Sequence, residues 1–180
     1  LSRFKVEDCR HCNFCRRNQK EGKYCAIDDD GQALFEKAET ADILVLASPV
    51  YMMRTSGRMA AFIDRLHLFI FGNMTKGRLR NKLGVSMAVS WVRNAGLEMT
   101  HLSHLLAFGI LEMIAVTSHH SISPLGGSAV SSMHGMGRFD PKVRLGVEND
   151  KSGLDSGRVM MERALELAMI IKRGSIHDIK

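Results

Sequence analysis

All four cysteines of the chain fall within its first 25 residues: Cys9, Cys12 and Cys15 form C-x-x-C-x-x-C, and Cys25 follows after nine intervening residues. Three thiols at this interval can wrap one side of a cubane on a tight loop, and a fourth from the next turn can close it. A [4Fe–4S] cluster is therefore the leading expectation. Structural zinc more commonly takes two separated C-x-x-C pairs, or a cysteine pair with a histidine pair. Neither arrangement is present, although His11 lies inside the motif. Disulfides would need an oxidising compartment, and thiols two residues apart pair poorly without strain.

The elements that must position these cysteines follow from hydrophobic period. Asp28-Asp29-Asp30 can cap a helix that carries Ala33, Leu34, Phe35 and Ala38 and ends near Thr40. Ile43–Ala47 is an apolar run too short for a helix and reads as a buried parallel strand stopped by Ser48-Pro49. Arg58–Phe71 is helical in pattern, with Met59, Phe62, Ile63, Leu66 and Ile70 on one face. A second strand spans Leu83–Val89, a helix Glu98–Leu111, and a third strand Met113–Ser118, giving a βαβαβ order. Residues 119–141, rich in Gly and Ser, read as one long functional loop. A last helix from Ser156 to Lys172 closes the sheet.

At 180 residues with 45% hydrophobic residues the chain has the size of a single domain. No apolar run approaches the roughly 18 residues that span a bilayer, and no signal peptide is evident, so the expectation is a cytoplasmic protein with no membrane partner. The formal charge of +6 is dispersed rather than patched. One Trp and two Tyr are too few for a stacking platform, so a nucleic-acid partner is not expected. Arg16, Arg17, Lys20 and Lys23 do cluster between Cys15 and Cys25, where positive charge would stabilise thiolates and attract an acidic redox partner. His101 and His104 share a helix face, but no H-E-x-x-H pattern accompanies them, and they read as ordinary core or surface histidines.

In a doubly wound parallel sheet the ligand lies outside the carboxyl ends of the strands. Two loops qualify here, Ser48–Gly57 and Ser90–Gly96. With the cysteine motif, Asp28-Asp29-Asp30, Ala41-Asp42, Ser48-Pro49-Val50-Tyr51 and Phe62-Ile63-Asp64-Arg65 in this order, the chain resembles the iron-sulfur flavoproteins of the NADPH-dependent FMN reductase group over roughly Cys9–Gly96. The resemblance implies a flavodoxin-like α/β fold in three layers over residues 1–180, with the cluster loop inside residues 1–31. It implies one FMN and one [4Fe–4S] cluster per subunit, and a dimer or tetramer. Cys9, Cys12, Cys15 and Cys25 would hold the cluster. Ser48, Pro49, Val50 and Tyr51 would border the flavin ring, and the loop carrying Ser90, Trp91, Arg93, Asn94 and Gly96 would cover its other side. The gap before Cys25 is longer than in that family, although closure cost grows slowly with loop length.

Members of that group begin with a strand and a phosphate-binding loop, and neither is present here. Leu1–Val6 reads as the end of their second strand, which implies that the first strand and phosphate loop precede this sequence. The implied activity is oxidoreduction, with no side chain required as catalytic acid or base because the cofactors carry the chemistry. Electrons would come from a ferredoxin-like carrier or NAD(P)H. Tyr51 would pack on or hydrogen bond to the flavin, and Arg93 would place positive charge near it. Two other readings stay open: an NAD(P)H-dependent FMN or quinone reductase without a cluster, and a non-enzymatic zinc-binding interaction module.

Overall fold

The structure, a computed structural model, describes residues 1–143 and 145–174. In chain order its elements are α1 (Phe14–Arg17), α2 (Gly31–Thr40), β1 (Ile43–Tyr51), β2 (Arg54–Thr55), α3 (Gly57–Arg65), α4 (Leu68–Phe71), β3 (Leu83–Ser90), α5 (Leu97–Ile110), β4 (Ile114–Ala115), β5 (Gly127–Val130) and α6 (Lys151–Gly174). The sheet is built on β1 and β3, parallel in register from Ile43 opposite Leu83 to Pro49 opposite Val89.

Side-chain alternation along the strands sorts the helices into two layers. Leu44 and Leu46 of β1 join Phe35, Phe62, Phe69 and Phe108 in a core formed with α2, α3, α4 and α5. The alternate residues Ile43, Leu83 and Val85 face α6 and pack on Met160 and Ala164. The result is the expected three-layer α/β/α arrangement. No described helix is long and apolar enough to cross a membrane.

Five expectations change. First, β1 does not stop at Ser48-Pro49 but runs to Tyr51; a proline is tolerable because, among the described residues, β1's side away from β3 pairs only with the two-residue β2. Second, the helix expected over Arg58–Phe71 breaks at Leu66-His67. Tight i→i+3 bonds there, Leu66 N–H to Ile63 at 3.0 Å and Phe69 N–H to Leu66 at 2.8 Å, redirect the chain into α4.

Third, β4 pairs with β3 only at Leu83 and Gly84, and β5 takes over the same side of β3 from Met87 to Ser90. The segment 119–141 is thus not all loop: Gly127–Val130 is a fully buried parallel strand. Fourth, Leu1–Val6 forms a turn, Phe4 N–H bonding Leu1 C=O at 3.0 Å, because its Lys5 hydrogen bonds to Asp30 rather than to a strand. Fifth, of the three aspartates expected to cap α2 it is Asp29 that accepts the Gly31 N–H, at 3.0 Å, whereas Asp30 makes no side-chain cap and its carboxylate takes the Lys5 N–H at 2.6 Å.

Candidate functional site

The chain joins β1 to β2 through Met52 and Met53, both at positive φ, +49° and +61°. Two left-handed residues in a row are what a two-residue hairpin turn demands, and that conformation normally selects Asn or Gly. Long unbranched side chains held there store strain, which points to a functional turn. Ser48 anchors the base of this hairpin. It is buried, and its Oγ accepts the Ser56 N–H at 2.9 Å. Ser56 in turn caps α3 by accepting the Met59 N–H at 3.4 Å.

The second loop meets this turn directly. Gly96 has φ +96°, and a Cβ placed on it would fall 2.4 Å from Cα of Met53. Only glycine allows both that conformation and that approach. The Ser48–Gly57 and Ser90–Gly96 loops are thereby brought together at the carboxyl ends of β1 and β3. Tyr51, Met52, Met53 and Trp91 all stand exposed there, from 52% to 92%, as an aromatic and thioether patch. Pro49 and Asn94 are exposed beside them and Val50 is half-buried. Tyr51 is therefore not a strand-end core residue.

Ser90 and Arg93 turn elsewhere. The Ser90 hydroxyl donates to the Val92 carbonyl at 2.5 Å and so shapes the loop from inside. The Arg93 guanidinium pairs with Asp150 at 2.7 Å, and the same carboxylate accepts the Val130 N–H at 2.8 Å. Asp150 thus ties the second loop to β5 and to the start of α6. Beyond Trp91 lies a cavity of about 510 Å³ lined by Ser131, Ser132, Phe139 and Asp150 among others.

The four cysteines lie elsewhere on the molecule, around one small cavity that Arg65 and His67 also line. His11 and Asn13 flank Cys12 at φ +50° and +58°, and these two left-handed residues curl the C-x-x-C-x-x-C loop back on itself. Cys15 is buried at the head of the cavity, Cys9 and Cys25 are half-buried, and Cys12 is exposed. Burial first, then its neighbours Cys25, Cys9 and Cys12, push the Cys15 thiol up from its usual range. Its Sγ lies 3.8 Å from Nδ1 of His67. Burial, reinforced by His11 and Arg16, holds His67 below the usual imidazole range. Among the described residues no three His, Cys, Asp or Glu side chains form a group that could hold a metal ion.

The nine residues between Cys15 and Cys25 are organised around the buried Gln19. Its side chain donates to Tyr24 C=O at 3.1 Å and accepts the N–H groups of Met74 and Thr75 at 3.0 and 3.2 Å. Arg16, Arg17, Lys20 and Lys23 stay exposed around it. Nothing in residue type or spacing marks Gln19, because a lone glutamine in a basic stretch looks solvated.

Arg65 and Asp29, read from the sequence only as parts of the motifs that carry the resemblance, pair at the cysteines, a role the sequence did not reveal. Arg65 closes α3 and is almost wholly buried, with Nη1 2.6 Å from Asp29 Oδ2. Asp29 further accepts the N–H groups of Glu7 at 2.8 Å and Gly31 at 3.0 Å. Burial opposes its charge most strongly, but Arg65 and these two N–H groups outweigh it and hold the carboxyl below its usual range. The remaining guanidinium atoms, Nε and Nη2, meet no hydrogen-bond partner of good geometry among the described residues. A buried cation with unused donors at the wall of a four-cysteine cavity fits a sulfur-rich anionic centre there. α3 is the connection between the two places: Ser56 caps its start beside the hairpin, Arg65 ends it at the cysteines, and nine residues span about 13 Å.

A three-layer sheet with paired loops at its carboxyl end defines a flavodoxin-like protein, and solved structures agree. The flavodoxin, WrbA-like protein from Agrobacterium tumefaciens matches at TM-score 0.51 and 18% identity, covering 78% of each chain. RosB, solved with 8-demethyl-8-formylriboflavin-5'-phosphate, matches at TM-score 0.54 and 17% identity, covering 98% of this chain and 72% of its own.

The chain belongs to the NADPH-dependent FMN reductase family, which its residues 2–126 match. An iron-sulfur flavoprotein of Methanocaldococcus jannaschii is 31% identical over 168 residues, 93% of this chain and 78% of that protein. One from Archaeoglobus fulgidus is 28% identical over 163 residues, 91% and 76% of the two chains. The protein is an FMN-dependent oxidoreductase.

Proposed function

We propose that the protein is an iron-sulfur flavoprotein in which Cys9, Cys12, Cys15 and Cys25 hold a [4Fe–4S] cluster and the paired loops hold FMN. The observation that carries this reading is that all four cysteines line one cavity whose wall includes a buried cation with unused donors. Membership in a flavin reductase family leaves little room for a non-enzymatic zinc module.

When bound, FMN exchanges electrons in pairs or singly and a cluster passes them one at a time, so together they join two-electron to one-electron chemistry. The chain's residues supply positioning. Tyr51 and Trp91 offer exposed ring faces for a planar ligand, Ser48 and Gly96 fix the two loops that carry them, and Val50, Pro49, Ser90 and Asn94 complete the rim. Arg93 contributes from a distance, through the Asp150 pair that holds the second loop.

Arg16, Arg17, Lys20 and Lys23 are exposed in the segment between Cys15 and Cys25, which favours an acidic ferredoxin-like donor docking there. The nicotinamide in the family's name supports NAD(P)H as a donor at the flavin instead. A second copy of the chain is supported by α5, where Met99, Leu102, Leu106 and Ile110 leave an apolar stripe facing solvent.

The test is a visible spectrum of the gene product purified without oxygen, with iron, sulfide, zinc and FMN measured in the same sample. About four irons and one FMN per chain are expected, with bleaching on reduction. FMN without iron would move the reading to a cluster-free FMN or quinone reductase.

A further inference from the structure

A guanidinium carries five N–H donors and cannot lose its charge. In Arg65 only Nη1 finds protein acceptors, Asp29 Oδ2 at 2.6 Å and Glu7 C=O at 3.3 Å. The three donors on Nε and Nη2 are buried and meet no acceptor of good geometry among the described residues. Leaving buried donors unmade is costly, so a group kept this way without a task would be selected against.

The group is also held firmly in place. The Arg65 guanidinium lies 5.1 Å over the Phe35 ring, and Asp29 is itself fixed by two backbone N–H groups. A Cβ on Gly31 would fall 2.8 Å from Nη2, so the bare glycine leaves that nitrogen its room. The same side chain forms part of the wall of the cysteine cavity. Cys25 is near enough to favour the charged guanidinium, through its charge and through a side-chain contact of hydrogen-bonding type.

We propose that Arg65 is the resident counter-cation of the cysteine centre, donating from Nε and Nη2 to sulfur at the Cys25 side and thereby favouring the reduced state of the cluster. This rests on the cluster reading above. Asp29 is a positioning residue: it aims the fork and neutralises part of its charge. The physical basis is that an added electron increases the negative charge on the sulfurs, so fixed donors and positive charge stabilise the reduced form more than the oxidised one. An ion pair that only braced the fold would leave that balance untouched.

The experiment is a redox titration of the cluster, followed by electron paramagnetic resonance, on the anaerobically purified full chain and on Arg65→Lys, Arg65→Gln and Gly31→Ala. Iron content and thermal melting are measured on the same samples. Arg65→Lys keeps the charge but loses the planar fork, and its reduction equilibrium is expected to shift at least tenfold toward the oxidised form, 59 mV for a one-electron couple. Arg65→Gln should shift it further. Gly31→Ala keeps both charges of the pair while crowding Nη2, and tests the same point should Arg65→Gln fail to fold. A folded variant with wild-type iron content and wild-type potential overturns the proposal. A wild-type chain that takes up no iron overturns the cluster reading itself, and the proposal with it.

Discussion

The Ser86 hydroxyl lies 2.7 Å from Nδ1 of His101, with both side chains sealed from solvent between β3 and α5. The same oxygen is 2.8 Å from Nδ1 of His104, whose Nε2 meets Thr55 Oγ1 at 3.1 Å. On the other side His101 Nε2 is 2.7 Å from Ser128 Oγ, which is 2.7 Å from Ser123 Oγ, which donates to Gly126 C=O at 2.5 Å. A carbonyl can only accept, so with both buried imidazoles neutral every proton in the chain is fixed. Ser123 gives to Gly126, Ser128 to Ser123, His101 to Ser128, Ser86 to His101, His104 to Ser86 and Thr55 to His104. Burial keeps both imidazoles neutral at neutral pH, and this order of donors then puts the His101 proton on Nε2 and the His104 proton on Nδ1. Because it ends on a carbonyl, the chain cannot conduct protons; it is a clasp holding the hairpin at β2 to the segment before β5.

That clasp predicts acid sensitivity. Burial lowers both histidines to about 4; Glu98 opposes the shift at His101, while His101 adds to it at His104. β2, β3 and β5 contribute only hydroxyls to the chain. Each folded pKa lies below the unfolded value of about 6.5, so the unfolded chain binds more protons between those limits. Stability from neutral burial is complete above pH 6.5 and falls as pH drops toward 4. The shift corresponds to about 3 kcal/mol for each histidine. Melting temperature measured from pH 7.5 to 4.5 should fall steeply below pH 6.5. His104→Gln should melt lower at pH 7.5 and show a shallower decline; an unchanged slope would refute the neutral clasp.

Gly96→Ala tests whether contact between the two loops builds the flavin site. The methyl group would meet Met53 backbone, which cannot swing aside as a side chain can, and φ +96° is itself unfavourable for alanine. The loops must part. A loss of about 1–3 kcal/mol in stability is expected, together with at least tenfold weaker FMN binding, read by quenching of flavin fluorescence. Retained FMN affinity in a destabilised protein would detach the loop contact from the site.

Much of this architecture was legible in the sequence, and the failures have physical causes. Ile43–Ala47 and Leu83–Val89 are apolar runs that only a buried parallel strand explains, and they fixed where the paired loops had to lie. The hairpin was hidden because Met52-Met53 carries none of the Asn or Gly that mark such a turn. β5 was hidden because Gly127-Ser128-Ala129-Val130 is buried through small side chains, a composition that reads as loop. The cysteine cavity was legible through its spacing. Its cation was not: Asp29 reads as one of three capping carboxylates, and Arg65 as one residue of the Phe62-Ile63-Asp64-Arg65 motif inside a helix expected over Arg58–Phe71, since pairing over 36 residues leaves no local signal.

The exposed stripe on α5 predicts self-association. Leu106 is 74% exposed among Met99, Leu102 and Ile110, and an apolar face of this length is unfavourable in water unless another surface covers it. Leu106→Arg adds a charge where a partner helix would sit and touches no core residue. The variant should melt within about 0.5 kcal/mol of wild type and elute as a monomer in light-scattering chromatography, where wild type elutes as a dimer or tetramer. Identical masses for the two would show that α5 is not the contact.

Tyr51 separates ligand binding from folding. At 63% exposure its ring contributes little to the core, so truncation should leave the melting temperature nearly unchanged. A planar ligand stacked on that ring would lose an aromatic contact of about 0.5–1.5 kcal/mol beyond the buried area. Tyr51→Ala should therefore weaken FMN roughly tenfold, whereas Tyr51→Phe, which keeps the ring and loses only the hydroxyl, should bind close to wild type. If Tyr51→Phe binds as poorly as Tyr51→Ala, the hydroxyl is the contact and Tyr51 holds the flavin by hydrogen bonding. If both bind as wild type does, the ring lies outside the site, and the flavin must be sought on the Trp91 side of the second loop, where the 510 Å³ cavity opens.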